Sequence, residues 1–334
     1  MGLTAAAAVG LAAVLDGAFE EIPGRVHPVA LFGRVVEPFD REWAAPGVVG
    51  AAVAVVLPLA AAVVAWGVVS GAVAGVAGVT TDVATVAGTG PSGAPLVPAV
   101  AGAVVAGVGL FATTSLRMLV SVAREVVGSV DEDADAAREA AVALVGRDTS
   151  SLSAAEIRSA AVESAAENIA DGLVAPLLAF AVGVQVSLGV GVACAAWVKA
   201  VNTLDSMLGY PDKPVGTASA RLDDAVMWVP ARVSAVLLAV AAGSPRALLA
   251  ARESAGVPAS PNSGWPMATL AAALDVRLAK PGAYVLNPDA DLPTAADARR
   301  GVRTVALAGA LAFLLAGAAA AATPGTGVWA GVGT

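Results

Sequence analysis

The chain has 334 residues, of which 57% are hydrophobic and only 14% charged, with a net charge of -8; a soluble chain of this length carries about a quarter charged residues. That balance argues against ordinary water-soluble cores. The acidic charge, the absence of a basic stripe and an aromatic content of 4% exclude a nucleic-acid partner, and a single cysteine, Cys194, excludes both a disulfide framework and a cysteine-cluster metal site.

A membrane-spanning helix needs about 20 apolar residues. Leu3–Leu15 is apolar but short, and no Lys or Arg precedes it, so it reads as a retained membrane segment rather than a signal peptide. Val48–Val69 and Leu96–Leu116 are full-length spans. No Lys or Arg lies between Arg41 and Arg117, so the two spans form a hairpin whose Ser70–Pro95 connection is outside and whose basic ends face the cytosol. Val122–Ala143 carries Arg124, Glu125, Asp131, Glu132, Asp133, Asp135, Arg138 and Glu139. It predicts a cytosolic helical hairpin with a solvated charged face, the core of an insertion over residues 121-172.

Leu173–Val198 is long enough to span but is interrupted by Gly183, Gln185, Gly189 and Gly191, and Val229–Ala242 is short. The polar stretches flanking both carry Lys or Arg. If all of them face the cytosol, neither segment crosses once; each is re-entrant, interfacial or a helical hairpin. Val302–Ala322 is the third full span and runs outward. The expected fold is all-α, a polytopic membrane helical bundle forming a single integral membrane domain over residues 1-334. It has three full spans, further re-entrant or short membrane segments and the cytosolic helical hairpin. Its Ala/Val/Gly-rich helices would pack through small residues.

Polar residues fall in five clusters. Asp16 and His27, the only histidine, lie near the N-terminus, and Pro28 fixes the backbone after the imidazole. That ring is either a structural group bonded to backbone or a base or ligand. Gly146-Arg147-Asp148-Thr149-Ser150 presents a guanidinium and backbone amides suited to phosphate, or simply a turn before the capping box Ser153/Glu156. Glu163, Glu167 and Asp171 lie four apart on one helix face, with Asn168 beside Glu167 in the chain, and no Lys or Arg occurs from Ser159 to Val198. Like charges so spaced repel, and such a stripe suits a magnesium ion carrying phosphates as well as it suits a hydrated helix end. Lys199, Asn202 and Ser206 share a face, with Asp205 beside it. Polar groups at membrane depth tend to be functional, although a terminal lysine also snorkels. Arg221, Asp223 and Asp224, with the stiff run Ser260-Pro-Asn262-Ser-Gly-Trp265-Pro266, form the fifth. These groups fit either a phosphate-dependent enzyme or an ion-coupled transporter.

Taken in order, the clusters resemble the CobD/CbiB family of cobalamin biosynthesis. The resemblance rests on Leu15-Asp16 with Phe19, His27-Pro28-Val29, Ser115-Leu116-Arg117 and Val145 to Thr149. It continues through Glu163-Ser164, Glu167-Asn168, Asp171-Gly172 and Val174-Ala175-Pro176, then Lys199 through Asn202-Thr203-Leu204-Asp205-Ser206-Met207 and Gly209-Tyr210. Ala218 through Asp224, Pro230-Ala231-Arg232, Ser260-Pro261-Asn262 and Gly264-Trp265-Pro266 complete a series reaching about Tyr284. Pro258-Ala259 stand where the family has His before its Ser-Pro-Asn, Met267 stands where it has Glu, and the loop near Tyr284 lacks a Gly-rich continuation.

The resemblance implies an ATP-dependent amide-forming ligase, adenosylcobinamide-phosphate synthase, in the cell membrane with its site facing the cytoplasm. Its substrates would be adenosylcobyric acid, aminopropanol or its phosphate, and ATP; its cofactor would be magnesium, and other cobalamin-assembly enzymes would be its neighbours in the bilayer. On that reading Glu163, Glu167, Asp171, Asp223 and Asp224 hold metal and phosphate. Arg117, Arg147, Lys199 and Arg221 hold phosphate or corrin carboxylate, and His27 or Asp205 is the base. Asp16, Asn168, Asn202, Ser206, Asn262 and Trp265 bind substrate. A transporter or a corrinoid-binding scaffold without ligase activity is the competing expectation.

Overall fold

The computed structural model describes residues 1–19, 22–86, 96–145 and 149–323. The chain forms helices α1 (Gly2–Ala18), α2 (Pro28–Val36), α3 (Pro46–Val86), α4 (Leu96–Phe111), α5 (Leu116–Ser129), α6 (Ala134–Val145) and α7 (Ala154–Ile169). A π-helical turn, Ala170–Val174, leads into α8 (Ala175–Gly183), followed by α9 (Leu188–Leu208), α10 (Thr217–Val226), α11 (Trp228–Ala241), α12 (Ala247–Ala251), α13 (Gly264–Leu274) and α14 (Ala295–Ala321). Strands β1 (Leu278–Lys280) and β2 (Tyr284–Leu286) pair antiparallel, with Leu278 opposite Leu286. The protein is an all-α, multi-pass membrane protein. Four stretches among the described residues are long and apolar enough to cross a bilayer: Pro46–Val79, Leu96–Ser129, Ala154–Gly183 and Ala295–Ala321.

Three of these overlap the spans expected from sequence almost throughout. The fourth, Ala154–Gly183, arises because the stretch read as one segment, Leu173–Val198, is two helices. The chain turns at 184–187, where the Ser187 hydroxyl caps α9 by accepting from the Val190 amide at 3.1 Å. Glycines allow the arms to close: a Cβ on Gly183 would lie 2.7 Å from the Val190 carbonyl oxygen, and one on Gly191 would lie 3.1 Å from the Phe180 ring. The segment therefore takes the hairpin form, one of the three that the charge pattern left open.

The chain divides into two compact units. Unit 1 is Met1–Thr114, Pro176–Asp223 and Phe313–Thr334, and unit 2 is Ser115–Ala175 and Asp224–Ala312. In unit 1, α1 buries a stripe of Ala5, Ala8, Val9, Ala12 and Asp16 and packs on α4. Gly107 permits the approach, since a Cβ there would lie 2.9 Å from the Ala8 carbonyl oxygen. Helix α3, which carries Pro58 in its interior, packs along α9. Val36, Val53, Leu204 and Leu208 form a core against which Phe32, Phe39 and Met207 rest.

In unit 2, the charged stretch Val122–Ala143 falls on two helices, the end of α5, which lies within the candidate span Leu96–Ser129, and α6. Asp133 caps α6 by accepting from the Asp135 and Ala136 amides at 3.0 Å. Leu119, Val120, Ala123, Val126 and Val127 are buried while Arg124 and Glu125 are exposed, and both helices pack on α7. Arg158 pairs with Asp131. Helices α11, α12 and α13 pack together, with Trp265 resting on Ala251, Ala255 and Ala268. Gly264 has no room for a side chain, because a Cβ there would overlap the Ala255 backbone.

Candidate functional site

The acidic face of unit 2 is built on α7. Its N-terminus is fixed by the capping box read from sequence: the Glu156 carboxylate accepts from the Ser153 amide at 2.8 Å, and the Ser153 hydroxyl accepts from the Glu156 amide at 3.4 Å. From that fixed start, Ser159, Glu163 and Glu167 recur along one face. The β1–β2 hairpin lies on this face. The Ala279 amide donates to the Ser159 hydroxyl at 2.9 Å, and the Tyr284 hydroxyl donates to Glu163 Oε1 at 2.9 Å with Met267 Sδ at 3.7 Å. Glu163 is buried, whereas Glu167, Asn168 and Asp171 are half-buried.

The charges of Asp171 and Glu163 act on Glu167, opposed by Lys280 of β1. The helix then widens into the π turn that contains Asp171 and Gly172. The Gly172 carbonyl accepts from the Ser115 amide at 2.9 Å, and a Cβ on Gly172 would lie 2.7 Å from the Ser115 hydroxyl. Single π turns inside α-helices are frequent at functional sites. Asn168 is oriented by its own helix: its amide donates to Ser164 O and Ser164 Oγ, both at 3.0 Å, and the Ser164 hydroxyl donates to Leu144 O at 2.7 Å.

A second cluster in unit 2 ties the Ser260–Trp265 loop to α11. The Asn262 amide nitrogen donates to the Asp224 carbonyl at 2.7 Å, and its oxygen accepts from Arg232 Nη1 at 2.7 Å. Arg232 also donates to Trp228 O at 2.9 Å and Pro261 O at 3.3 Å. Its guanidinium carbon stands 4.4 Å from the Trp228 ring centroid and 5.2 Å from that of Trp265. The Ser260 hydroxyl lies 3.5 Å from Asp224 Oδ1. The Asn262 amide thus bonds the protein at both ends and holds the loop in place.

In unit 1, Asp16 is buried at the end of the α1 stripe. His27 is the N-cap of α2: its Nδ1 accepts from the Val29 amide at 3.1 Å, which places the proton of the neutral ring on Nε2. On α9, Thr203 and Ser206 turn their hydroxyls back onto Lys199 O at 2.8 Å and Asn202 O at 2.9 Å. Asp205 folds against Gly209, where a Cβ would lie 2.8 Å from the carboxylate carbon. Lys213 pairs with Asp40 at 2.7 Å.

Arg117 and Arg221 are exposed, and Arg147 lies outside the described residues. Asp223 and Asp224 are consecutive on α10, where neighbouring side chains diverge by about 100° rather than sharing a face. The unit-2 face therefore gathers Glu163, Glu167, Asn168 and Asp171, to which the structure adds Tyr284 and Lys280. Arg232 joins the loop cluster. Sequence spacing could not announce these additions, because Tyr284 and Glu163 are 121 positions apart.

Among the described residues no three His, Cys, Asp or Glu side chains form a group able to cage a metal ion. Magnesium asks for less. It keeps its waters, takes one or two protein carboxylates and completes its shell with substrate phosphates. The α7 stripe, with Glu163 steadied by a phenol, fits an ion brought in that way.

Comparison with known proteins adds a second line. The family model described as CobD/Cbib protein matches residues 9–314. The chain is 36% identical over 315 residues to the probable cobalamin biosynthesis protein CobD of Methanothrix thermoacetophila, covering 91% of this chain and 93% of that protein. It is 44% identical over 193 residues to its namesake from Methanothermobacter thermautotrophicus, covering 54% and 62% of the two chains. A cobalamin biosynthesis protein CobD of Klebsiella pneumoniae is 44% identical over 149 residues, covering 42% and 44%. No solved structure matches.

Proposed function

The chain belongs to the CobD/Cbib protein family, which gives it a role in cobalamin biosynthesis, and we propose that its step is the ATP-dependent joining of a corrinoid carboxylate to an amine. The substrates are adenosylcobyric acid and aminopropanol or its phosphate, and the product is adenosylcobinamide or its phosphate. A carboxylate and an amine do not condense in water unaided. ATP transfers its γ-phosphoryl group to the carboxylate, giving an acyl phosphate and ADP. The amine nitrogen then attacks the acyl carbon, phosphate leaves, and a base takes the proton from nitrogen. On this reading the chain lies in the cell membrane with its polar groups facing the cytoplasm, where ATP is.

The observation that carries this reading is the α7 stripe. Three carboxylates lie at helical spacing on a helix free of Lys and Arg from Ser159 onward, with Lys280 opposing them from the hairpin. One or two of Glu163, Glu167 and Asp171 would hold a phosphate-borne magnesium, which would neutralise phosphate charge. Arg117, Arg147 and Arg221 steady phosphate oxygens, and Lys199 holds the corrin carboxylate. Asp205 is the better base, because the Nδ1 lone pair of His27 is committed to capping α2. Asp224 and Trp265 act through the loop that Arg232 and Asn262 fix.

The test is corrinoid amidation by purified protein with ATP, magnesium and an amine, followed by ADP release and product mass. Glu167→Ala should abolish amidation and leave membrane insertion intact; full activity in that variant removes the stripe from the reaction. Amidation-competent conditions without ATP consumption by the unmodified protein would favour a corrinoid transporter or scaffold.

A further inference from the structure

Unit 1 contains a cavity of about 800 Å³ between α2, α3, α4 and α9. Among the described side chains lining it, only Thr113, Lys199 and Thr203 are polar. Both threonine hydroxyls are spent on backbone, donating to Leu110 O at 2.7 Å and Lys199 O at 2.8 Å. Away from Lys199 a space so lined offers water few partners, and left empty it forfeits the dispersion contacts of its walls.

Its mouth shows what reaches it. Leu31, Val64, Val68 and Val108 line the cavity and are at the same time 43%, 66%, 60% and 45% exposed. The last three belong to stretches that are candidate membrane spans. The cavity is therefore continuous with the outward apolar flank of spanning helices, the surface that meets acyl chains in a bilayer. Helix α2 suits a wall at that boundary. It turns Val29 and Phe32 toward the cavity, while Arg34 on the same helix is exposed and absent from the lining, an arrangement that places a cation where headgroups lie.

We propose that this cavity binds an acyl chain of a bilayer phospholipid, which enters sideways past α2, α3 and α4. The proposal is independent of the amidation reading. An acyl chain needs no polar partner, so Lys199 keeps its role toward substrate.

The test uses the full chain reconstituted into bilayer discs of phosphatidylglycerol carrying a photoactivatable diazirine midway along one acyl chain, with labelled residues located by peptide mass spectrometry. Ala112 and Ala200 line the cavity yet are only 7% and 5% exposed, so they take label only if a chain enters. Val63, which is exposed but does not line the cavity, controls for ordinary lipid contact. The expected result is label on Ala112, Ala200 and Val63 in the unmodified protein. Ala61→Phe and Ala196→Phe, which put rings into the cavity wall, should lose the first two labels and keep the third. Label confined to outward-facing residues, or cavity label unchanged in both filled variants, overturns the proposal. If a filled variant does not fold, the labelling of Ala112 and Ala200 in the unmodified protein decides alone.

Discussion

Replacing Arg232 with Met tests whether the Ser260–Trp265 loop is held by one side chain. Methionine keeps an unbranched apolar stem but removes the guanidinium. The charge-assisted bond to Asn262 Oδ1 at 2.7 Å is lost, and bonds to charged groups contribute about 1.5–3 kcal/mol. The two indole faces at 4.4 and 5.2 Å are lost as well, at about 0.5–1 kcal/mol each for partly exposed sites. Because the guanidinium is half-exposed and partly screened, the sum is discounted to roughly 2–4 kcal/mol. Denaturant titration in mixed micelles, followed by circular dichroism, measures it. The sharper reading is a double-mutant cycle with Asn262→Ala, in which Arg232 and Asn262 should couple by about 1–2 kcal/mol, since removing either group leaves the other without its partner. Arg232→Lys keeps the charge without the flat stacking surface and should fall between. If the two single changes add to within about 0.5 kcal/mol, the clamp is not what holds the loop.

Three further outcomes follow from the geometry. Tyr284→Phe removes the hydroxyl that donates to Glu163 and should cost about 1.5–3 kcal/mol in unfolding free energy; in the amidation assay it should raise the magnesium concentration needed for half-maximal rate, and an unchanged magnesium dependence would detach Tyr284 from the acidic face. His27→Ala should destabilise by about 1 kcal/mol through loss of the α2 cap, while His27→Asn, which caps equally well, should restore both stability and amidation; an inactive, stable His27→Asn would return the base role to the imidazole. Gly107→Leu drives a side chain into the Ala8 backbone and should destabilise by about 1–3 kcal/mol, measured as a lower denaturant midpoint with unit 2 signals unaffected; a midpoint equal to the parent would show that α1 does not need this approach to α4.

Much of the architecture was legible because it follows from local chemistry. The apolar runs gave three spans, Ser153 with Glu156 gave the start of α7, and the charge run marked the end of α5 and α6. The fourth span was hidden because the glycine-broken run from Leu173 onward looked like one imperfect segment; its turn depends on Ser187 capping α9 and on Gly183 and Gly191 meeting the facing arm, a close approach that an apolar run does not announce. The acidic stripe was visible from four-residue spacing, but the groups that answer it were not. Lys280 and Tyr284 sit in a hairpin far along the chain, and Arg232 differs from an ordinary surface arginine only by the two indoles around it. The π turn at Ala170–Val174 has no spacing signature.

The β1–β2 hairpin offers a practical handle. Its inner edge is fastened to α7 by the Ala279 amide and the Tyr284 hydroxyl, while Pro281, Gly282 and Ala283 at its tip are exposed and Gly282 adopts φ of 76°. A short fluorophore-binding tag inserted at that tip would be tolerated, because the loop bears none of the anchoring bonds. Carried on so short a lever, the reporter would sense any shift of Lys280 and Tyr284 against α7, turning a structural brace into a gauge of the acidic face.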